Sequence, residues 1–369
     1  MVEWSGAMEG VEMITPAFWL NKKVLLTGCT GFKGSWLTIW LHMLGAKVYG
    51  YSLPAPTNPS MWDDLHLEDL CVDVCYSDIR DYEELKQYIS RVQPEIIIHM
   101  AAQPLVKYSY DYPKETYEVN VMGVVNLLDI VRVTQIPCVV INVTTDKCYE
   151  NKEWVWAYRE NEPMGGYDPY SNSKGCSELV TSAFVNSYFN TPNSKVFVGS
   201  CRAVNVIGGG DWAADRLIPD IVKSFSNGKP VFVRNPNSIR PWQHVLEPLS
   251  GYLTLAESLY NDGQKHVGGW NFGPADNDAL TVGEIVEQMC KIWGNGATWV
   301  KDEQIHPHEA NLLRLDCSKA KMLLNWTPVW NSRTTLEQLT IWYKAYFDKS
   351  YMLELTKQQI LKYMKEEKC

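Results

Sequence analysis

Positive charge is in deficit in this sequence: 34 lysines and arginines stand against 43 aspartates and glutamates, a net charge of −9. A nucleic acid or an acidic membrane selects a basic surface, so neither is expected as a partner; a small anion held by local arginines stays open. Long apolar runs are also missing. None approaches the roughly 18 residues that a membrane-spanning helix requires. The first residues include Glu3, Glu9 and Glu12 without a basic stretch, unlike a secretory signal. The 10 cysteines lack Cys-x-x-Cys pairing and sit mostly inside apolar runs, which fits reduced, buried thiols in a cytoplasmic protein. Cys71 and Cys75 are the nearest pair, and with no second pair or histidines beside them no metal site is expected. No internal repeat and no low-complexity linker divides the chain, so intimately packed domains are expected rather than beads on a string.

The 369 residues, 46% of them hydrophobic, suffice for one large or two medium domains. After an irregular extension over residues 1–18, Lys23 to Thr27 read as a short buried strand. Gly28-Cys29-Thr30-Gly31-Phe32-Lys33-Gly34 comes next, then a helix bearing Trp36, Leu37, Trp40, Leu41 and Leu44. A strand, a glycine loop and a helix form the context in which backbone N–H groups approach a dinucleotide pyrophosphate at a helix N-terminus. The second strand, Ala46 to Leu53, ends in Leu53-Pro54-Ala55-Pro56 where an acid usually meets the ribose hydroxyls. No arginine replaces that acid to receive a 2′-phosphate, which favours NAD over NADP. Asp78-Ile79-Arg80 succeeds a third strand; Asp78 or Ile79 meets the adenine, or Asp78 is a solvated helix cap. The fourth strand, Glu95 to Met100, leads to the small residues Ala101 and Ala102, then Gln103, over which a cofactor lies close. A helix over Thr116 to Val133 carries Asn120, as a loop anchor or as polar surface.

Strand and helix alternate throughout this half. The pattern predicts an α/β fold: a Rossmann-like, doubly wound parallel sheet over residues 19–200, with return segments around 240–273, and a smaller mixed α/β substrate domain over 201–369. The most telling stretch runs from Val143 to Lys174. Cys138 to Val143 is an apolar strand, so Thr144-Thr145-Asp146-Lys147 falls at its carboxyl end, where open α/β sheets bind ligands. Past a Trp-rich loop, Tyr170-Ser171-Asn172-Ser173-Lys174 opens a helix reaching Asn190. Four-residue spacing puts Tyr170 and Lys174 on one face, where an ammonium favours the phenolate and makes Tyr170 a general base. The same spacing at Tyr82/Lys86 and Tyr110/Lys114 lacks this context and reads as chance.

Beyond Lys195 the chain turns to glycine and arginine. Asn205 precedes Gly208-Gly209-Gly210, and Arg216-Leu217, Arg234 and Arg240 come after it in loops with Trp and Asn. Guanidinium forks hold phosphate oxygens bidentately and aromatics stack on a base or sugar, which suits a nucleotide diphosphate. His306-Pro307-His308-Glu309 matches no metal spacing and is expected at the edge of the substrate pocket.

With these blocks in hand, among them Thr30-Gly31-Phe32-Lys33-Gly34-Ser35-Trp36, Thr145-Asp146-Lys147-Cys148-Tyr149 and Arg240-Pro241-Trp242-Gln243-His244, the chain resembles the extended short-chain dehydrogenase/reductases that work on sugar nucleotides. Within that group it closely resembles the 4,6-dehydratases, from about Phe18 nearly to the C-terminus. The resemblance implies NAD as cofactor, CDP-glucose as substrate and a homodimer formed through helices of the nucleotide domain. It implies that Tyr170 takes the C4 hydroxyl proton, that Thr145 hydrogen-bonds that oxygen, that Lys147 removes the C5 proton and that Asp146 protonates the departing C6 hydroxyl. It also extends the cofactor contacts over Gly28 to Gly34, Asp78, Ile79, Ala101 to Gln103, Asn120, Tyr170 and Lys174. The substrate contacts it implies are Asn205, Arg216, Leu217, Arg234, Arg240, His308 and Glu309. Cys29 stands where that family usually has His, Thr145 where Ser is frequent, and Val204 where Gly is common. Two other readings stay open: a dehydratase or epimerase for a dTDP or GDP sugar, and a nicotinamide-binding sensor without turnover.

Overall fold

The computed structural model describes residues 14–275, 278–302 and 313–367. Strand β1 (Lys23–Thr27), β4 (Ile96–His99) and β5 (Cys138–Val143) are apolar on both faces and almost wholly buried, the composition of parallel strands covered by helices on each side. With β2 (Lys47–Ser52), β3 (Asp73–Tyr76), β6 (Val196–Ala203) and β11 (Gly268–Phe272) they form a seven-stranded sheet ordered β11-β6-β5-β4-β1-β2-β3. Every pairing in it is parallel. The expected doubly wound α/β architecture is what forms. A cluster around Trp36, Trp40, Leu246 and Trp342 fills one face, and one around Leu25, Tyr88, Leu128 and Val140 fills the other.

Between β6 and β11 lie the short strands β7 (Asn205–Ile207), β8 (Val231–Val233), β9 (Ile239–Arg240) and β10 (Trp242–His244). β7 pairs with β10. β9 pairs with β12 (Leu280–Thr281) and β8 with β13 (Trp299–Lys301). The long helix Leu246–Asp262 then carries the chain back beneath the large sheet, where β11 joins it beside β6. At the start of this helix the buried Glu247 carboxylate accepts hydrogen bonds from Val329 N at 3.0 Å, Trp330 N at 2.7 Å and the Tyr363 hydroxyl at 2.7 Å. Burial pushes that carboxyl up to about 7. Its three donors keep it satisfied and tie the C-terminal helices to the sheet.

Local expectations differ from the structure in three places. Residues 1–13 lie outside the described part. Within the extension, Pro16–Trp19 form one helical turn because the Trp19 indole is buried and donates to Glu257 at 2.6 Å. The helix placed at Thr116 to Val133 starts at Pro113, widens into a π turn over Glu118–Met122 and continues as Gly123–Thr134. The helix bearing Tyr170 spans Pro169–Phe184 and ends in a second wide turn, Val185–Phe189.

The glycine loop owes its shape to close approach. Gly28 has φ 72°, and a Cβ there would lie 2.7 Å from Ala101 N; a Cβ on Gly34 would collide with the Gly28 carbonyl. Gly34→Ala is therefore expected to destabilise the protein by about 1–3 kcal/mol. Denaturant unfolding measures this, and an unchanged midpoint would show that the loop yields freely.

Candidate active site

β5 stops at Val143, and the chain then makes a single 3-10 turn, Asp146–Cys148. Thr144 N still pairs with Cys201 O on β6 at 2.8 Å. Thr145 sits at the N-cap in extended conformation and its hydroxyl accepts the Lys147 N–H. Strand alternation would send neighbouring side chains to opposite faces, but the turn ends that alternation. The Thr145 hydroxyl donates to Asp146 Oδ1 at 2.8 Å.

The helix Pro169–Phe184 begins beside this turn for local reasons. Pro169 fits its first position, and Asp168 caps it by accepting from Ser171 N at 2.9 Å and the Ser171 hydroxyl at 2.6 Å. Tyr170 comes close enough to Thr145 for that side chain to ease its ionisation. Lys174, one turn on and buried, donates to the Val143 carbonyl at 3.2 Å. Thr145, Asp146, Tyr170 and Lys174 are thus brought together, and Lys147 lies half-buried on the same turn.

Burial governs the electrostatics. It raises the Asp146 carboxyl, with Lys147, the Thr145 hydrogen bond and Arg240 opposing. It pushes Tyr170 up to about 12, and the leading counter-influence is the Arg216 guanidinium. It pushes Lys174 down to about 8, with Glu178 opposing. Arg216 is thus the leading cationic influence on the phenol. Lys174 spends a hydrogen bond on Val143, and burial disfavours its own charge.

Lys33 joins this group. Its Nζ donates to the Tyr252 hydroxyl at 3.3 Å. Burial, then the charges of Lys174 and Arg216, bring it down to about 8, and Asp146 acts the other way. The helix after the glycine loop thus sends a lysine amine to the neighbourhood of Asp146. Arg216 is anchored by Asp211 at 2.9 Å.

The remaining expected residues divide. Asn120 is an anchor: its Oδ1 accepts from Gln103 N at 2.8 Å, and its Nδ2 donates to Gln103 O at 3.0 Å and to Ser173 at 2.9 Å. The Gln103 amide turns inward to Thr116, so the loop's outward face there is the backbone after Ala101 and Ala102. The Thr30 hydroxyl is committed to Leu53 O at 2.9 Å and Ser52 at 2.8 Å. Asp78 forks with Arg80 through contacts of 2.7 and 3.0 Å, and it is Asp81 that caps the next helix. Ile79 is buried against Gly123. Asn205 donates weakly to Pro241 O at 3.4 Å, and Leu217 opens a helix that Arg216 precedes. Arg234 comes after β8 and acts electrostatically on Asp220. His308 and Glu309 lie outside the described residues. Tyr252, Cys201, Glu178 and Arg202 also line or underlie the site, although no motif in the sequence marks them. Only Glu178 carried a signal, since it falls four residues after Lys174 on the face already identified.

The GDP-mannose 4,6 dehydratase family model matches residues 25–339. A CDP-glucose 4,6-dehydratase of Salmonella typhimurium is 56% identical over 355 residues, 95% of this chain and 99% of that protein. Among solved structures, the dTDP-glucose 4,6-dehydratase of Bacillus anthracis in complex with NAD superposes with TM-score 0.72 at 21% identity, covering 90% of this chain and 99% of that one. The UDP-glucose-4-epimerase of Stenotrophomonas maltophila, with NAD and a formylated UDP-arabinopyranose, gives TM-score 0.77 at 16% identity over 89% of this chain and all of that one. At such identities the two structures show a shared fold.

Asn120→Ala leaves the Gln103 backbone and Ser173 short of partners, which is expected to cost about 1–3 kcal/mol. Thermal or denaturant unfolding reads the loss, and wild-type stability would remove Asn120 as the anchor.

Proposed function

We propose that this chain, which belongs to the GDP-mannose 4,6 dehydratase family, converts CDP-D-glucose to CDP-4-keto-6-deoxy-D-glucose, with loss of water and internal transfer of hydride from C4 to C6 on NAD. The observation that carries the reading is the meeting of Thr145, Asp146 and Tyr170 at the end of β5, in a chain 56% identical along nearly its whole length to a CDP-glucose 4,6-dehydratase.

The glycine loop fits a dinucleotide. Its backbone has room only for glycine at Gly28 and Gly34, and the helix Phe32–Met43 has no side-chain cap, leaving its first N–H groups for a pyrophosphate. Gly28 to Gly34, Ala101 to Gln103, Asp78 and Ile79 would hold the cofactor, with Asn120 behind them. Bound NAD supplies the hydride acceptor for C4 and the donor for C6. Tyr170 removes the C4 hydroxyl proton, with Thr145 orienting that oxygen and Arg216 favouring the phenolate. A ketone at C4 acidifies the C5 hydrogen, which Lys147 takes. Asp146, whose carboxyl burial raises above the usual range, serves as the acid that gives a proton to the C6 hydroxyl as water leaves. Acid and base thus stand side by side on one turn. Arg216 and Arg240 grip the diphosphate bidentately, and Asn205, Leu217, Arg234, His308 and Glu309 complete the sugar-nucleotide pocket.

The same reading divides the chain into an NAD-binding part, 19–200 with returns around 240–273, and an interleaved sugar-nucleotide part, 201–369. It places the enzyme in the cytoplasm as a homodimer. Val133 and Leu179 on the helices Gly123–Thr134 and Pro169–Phe184 are exposed apolar side chains that such a contact would cover.

Turnover of CDP-glucose in deuterated water with trace NAD is expected to give a 4-keto-6-deoxy product labelled at C5 without net NADH, monitored by NMR. Lys147→Ala should stop product formation while leaving oxidation at C4. Product from another glucose nucleotide but none from CDP-glucose would overturn the base assignment, and normal product from the variant would overturn the role of Lys147. Tyr170→Phe is expected to lower kcat by roughly 10²–10⁴-fold with NAD affinity unchanged; wild-type turnover would remove Tyr170 as the base.

A further inference from the structure

The helix that presents Tyr170 and Lys174 carries a third group on the same face, Glu178, four residues further on. Its carboxylate accepts from the Thr144 hydroxyl, from Ser200 Oγ at 2.6 Å and from Arg202 Nη2 at 2.8 Å. The two side chains of the ion pair are only 4% and 6% exposed. Arg202 Nη1 continues to the Tyr149 hydroxyl at 2.6 Å and to Glu160 O at 3.0 Å, with the guanidinium 5.0 Å from the Tyr149 ring centroid. Tyr149 in turn donates to Asn271 on β11 at 2.8 Å. One carboxylate therefore joins the catalytic helix to β5 and β6, and its arginine extends the connection to the loop after β5 and to β11.

A buried ion pair of this kind is weak evidence for stability, because desolvation consumes much of the Coulomb gain. Its place singles it out. Thr144 immediately precedes Thr145 and Asp146, and Glu178 faces Lys174. We infer that Glu178, held by Arg202, is a positioning residue of the dehydration site: it keeps the Lys174 ammonium charged and fixes the end of β5 from which the catalytic turn projects. The inference rests on the role proposed above for Tyr170 and on Lys174 as the cofactor contact that the resemblance implies, which works as an ammonium.

The groups around Lys174 show why an anion is needed there. Lys33 from the phosphate-loop helix and His99 from β4 face it. Burial pushes His99 down to about 3, so this ring is neutral and Lys33 is the repelling charge. On the favourable side stand Glu178 and the thiol of Cys148 on the catalytic turn. Burial pushes that thiol far upward, leaving Glu178 as the anion. Glu178 itself faces Arg202, Cys148 and Cys201. Burial acts to raise its carboxyl, but Arg202 and the hydroxyls of Ser200 and Thr144 outweigh that and hold it ionised.

On this inference Lys174 works as an ammonium, so activity falls as pH rises through its pKa. Without the Glu178 charge that pKa is lower still, and the alkaline limb moves toward neutral pH. In the NAD-loaded enzyme turning over CDP-glucose, Glu178→Gln is expected to shift the alkaline limb of kcat down by about one pH unit, while Glu178→Asp, which keeps the charge, leaves it near the wild-type position. A folded, NAD-binding Glu178→Gln enzyme with an unmoved limb would overturn the inference. Should that variant fail to fold, E178Q with R202M strands no lone charge and is read the same way: a lowered limb supports the inference and an unmoved one defeats it. Thr144→Val, which keeps both charges, should lower kcat with the limb in place; wild-type kcat would defeat the positioning of the turn, and a moved limb the assignment of the pH effect to charge. Tyr170→Phe separates the two levels: if it stays active the roles of Tyr170 and Lys174 fail, whatever Glu178 does.

Discussion

The point at which β5 stops decides the chemistry available to this protein. Had the strand run three residues further, Thr145 and Asp146 would have pointed to opposite faces of the sheet. It ends at Val143, and the Thr145 hydroxyl accepts the Lys147 N–H to start a tight turn. Thr145 and Asp146 then share a hydrogen bond, and Tyr170 from the neighbouring helix meets the same hydroxyl. The parallel sheet makes this possible, because its central strands all open their carboxyl ends toward one edge, and the loops after them converge.

Burial then sets the proton affinities, and it acts in opposite senses on the two kinds of group. It raises the Asp146 carboxyl and lowers Lys33 and Lys174 to about 8. A carboxyl moved up beside amines moved down brings both kinds of group toward the range in which general acid–base chemistry operates. Tyr170 is the exception: the same burial moves it up to about 12, away from use as a base. The fold answers with Arg216, held in place by Asp211. A guanidinium suits this role because burial does not readily discharge it, whereas a lysine in the same surroundings loses part of its charge.

Much of this was legible in the sequence, and the reason differs by element. The apolar runs of β1, β4 and β5 specify buried parallel strands whichever way the rest of the chain packs. The glycine loop is equally plain, because Gly28 and Gly34 sit where any Cβ would meet backbone. Tyr170 and Lys174 emerge from helical periodicity. Lys33 was legible only as part of the loop, since nothing in the spacing shows that its side chain crosses to Tyr252 on a helix more than 200 residues away. Tyr252, Cys201 and Arg202 were silent for the same reason: tertiary packing alone brings them to the turn. The state of Asn120 was undecidable from its helix, whose wide turn over Glu118–Met122 carries its side chain into Gln103 and Ser173.

The overall charge and the charge at the site run in opposite directions, and this bears on what the protein binds. A net charge of −9 repels polyanions as a whole, yet Lys33, Lys174 and Arg216 interact electrostatically near the end of β5, with Arg240 acting on Asp146. Screening in physiological salt limits surface charge to about 8 Å, while partly buried groups are screened much less. A small phosphorylated ligand that enters the site therefore experiences the cations, and a large polyanion that stays outside experiences the acidic surface. The deficit of positive charge and the arginine-bearing loops after Lys195 are two sides of one selection, for a compact anion over an extended one.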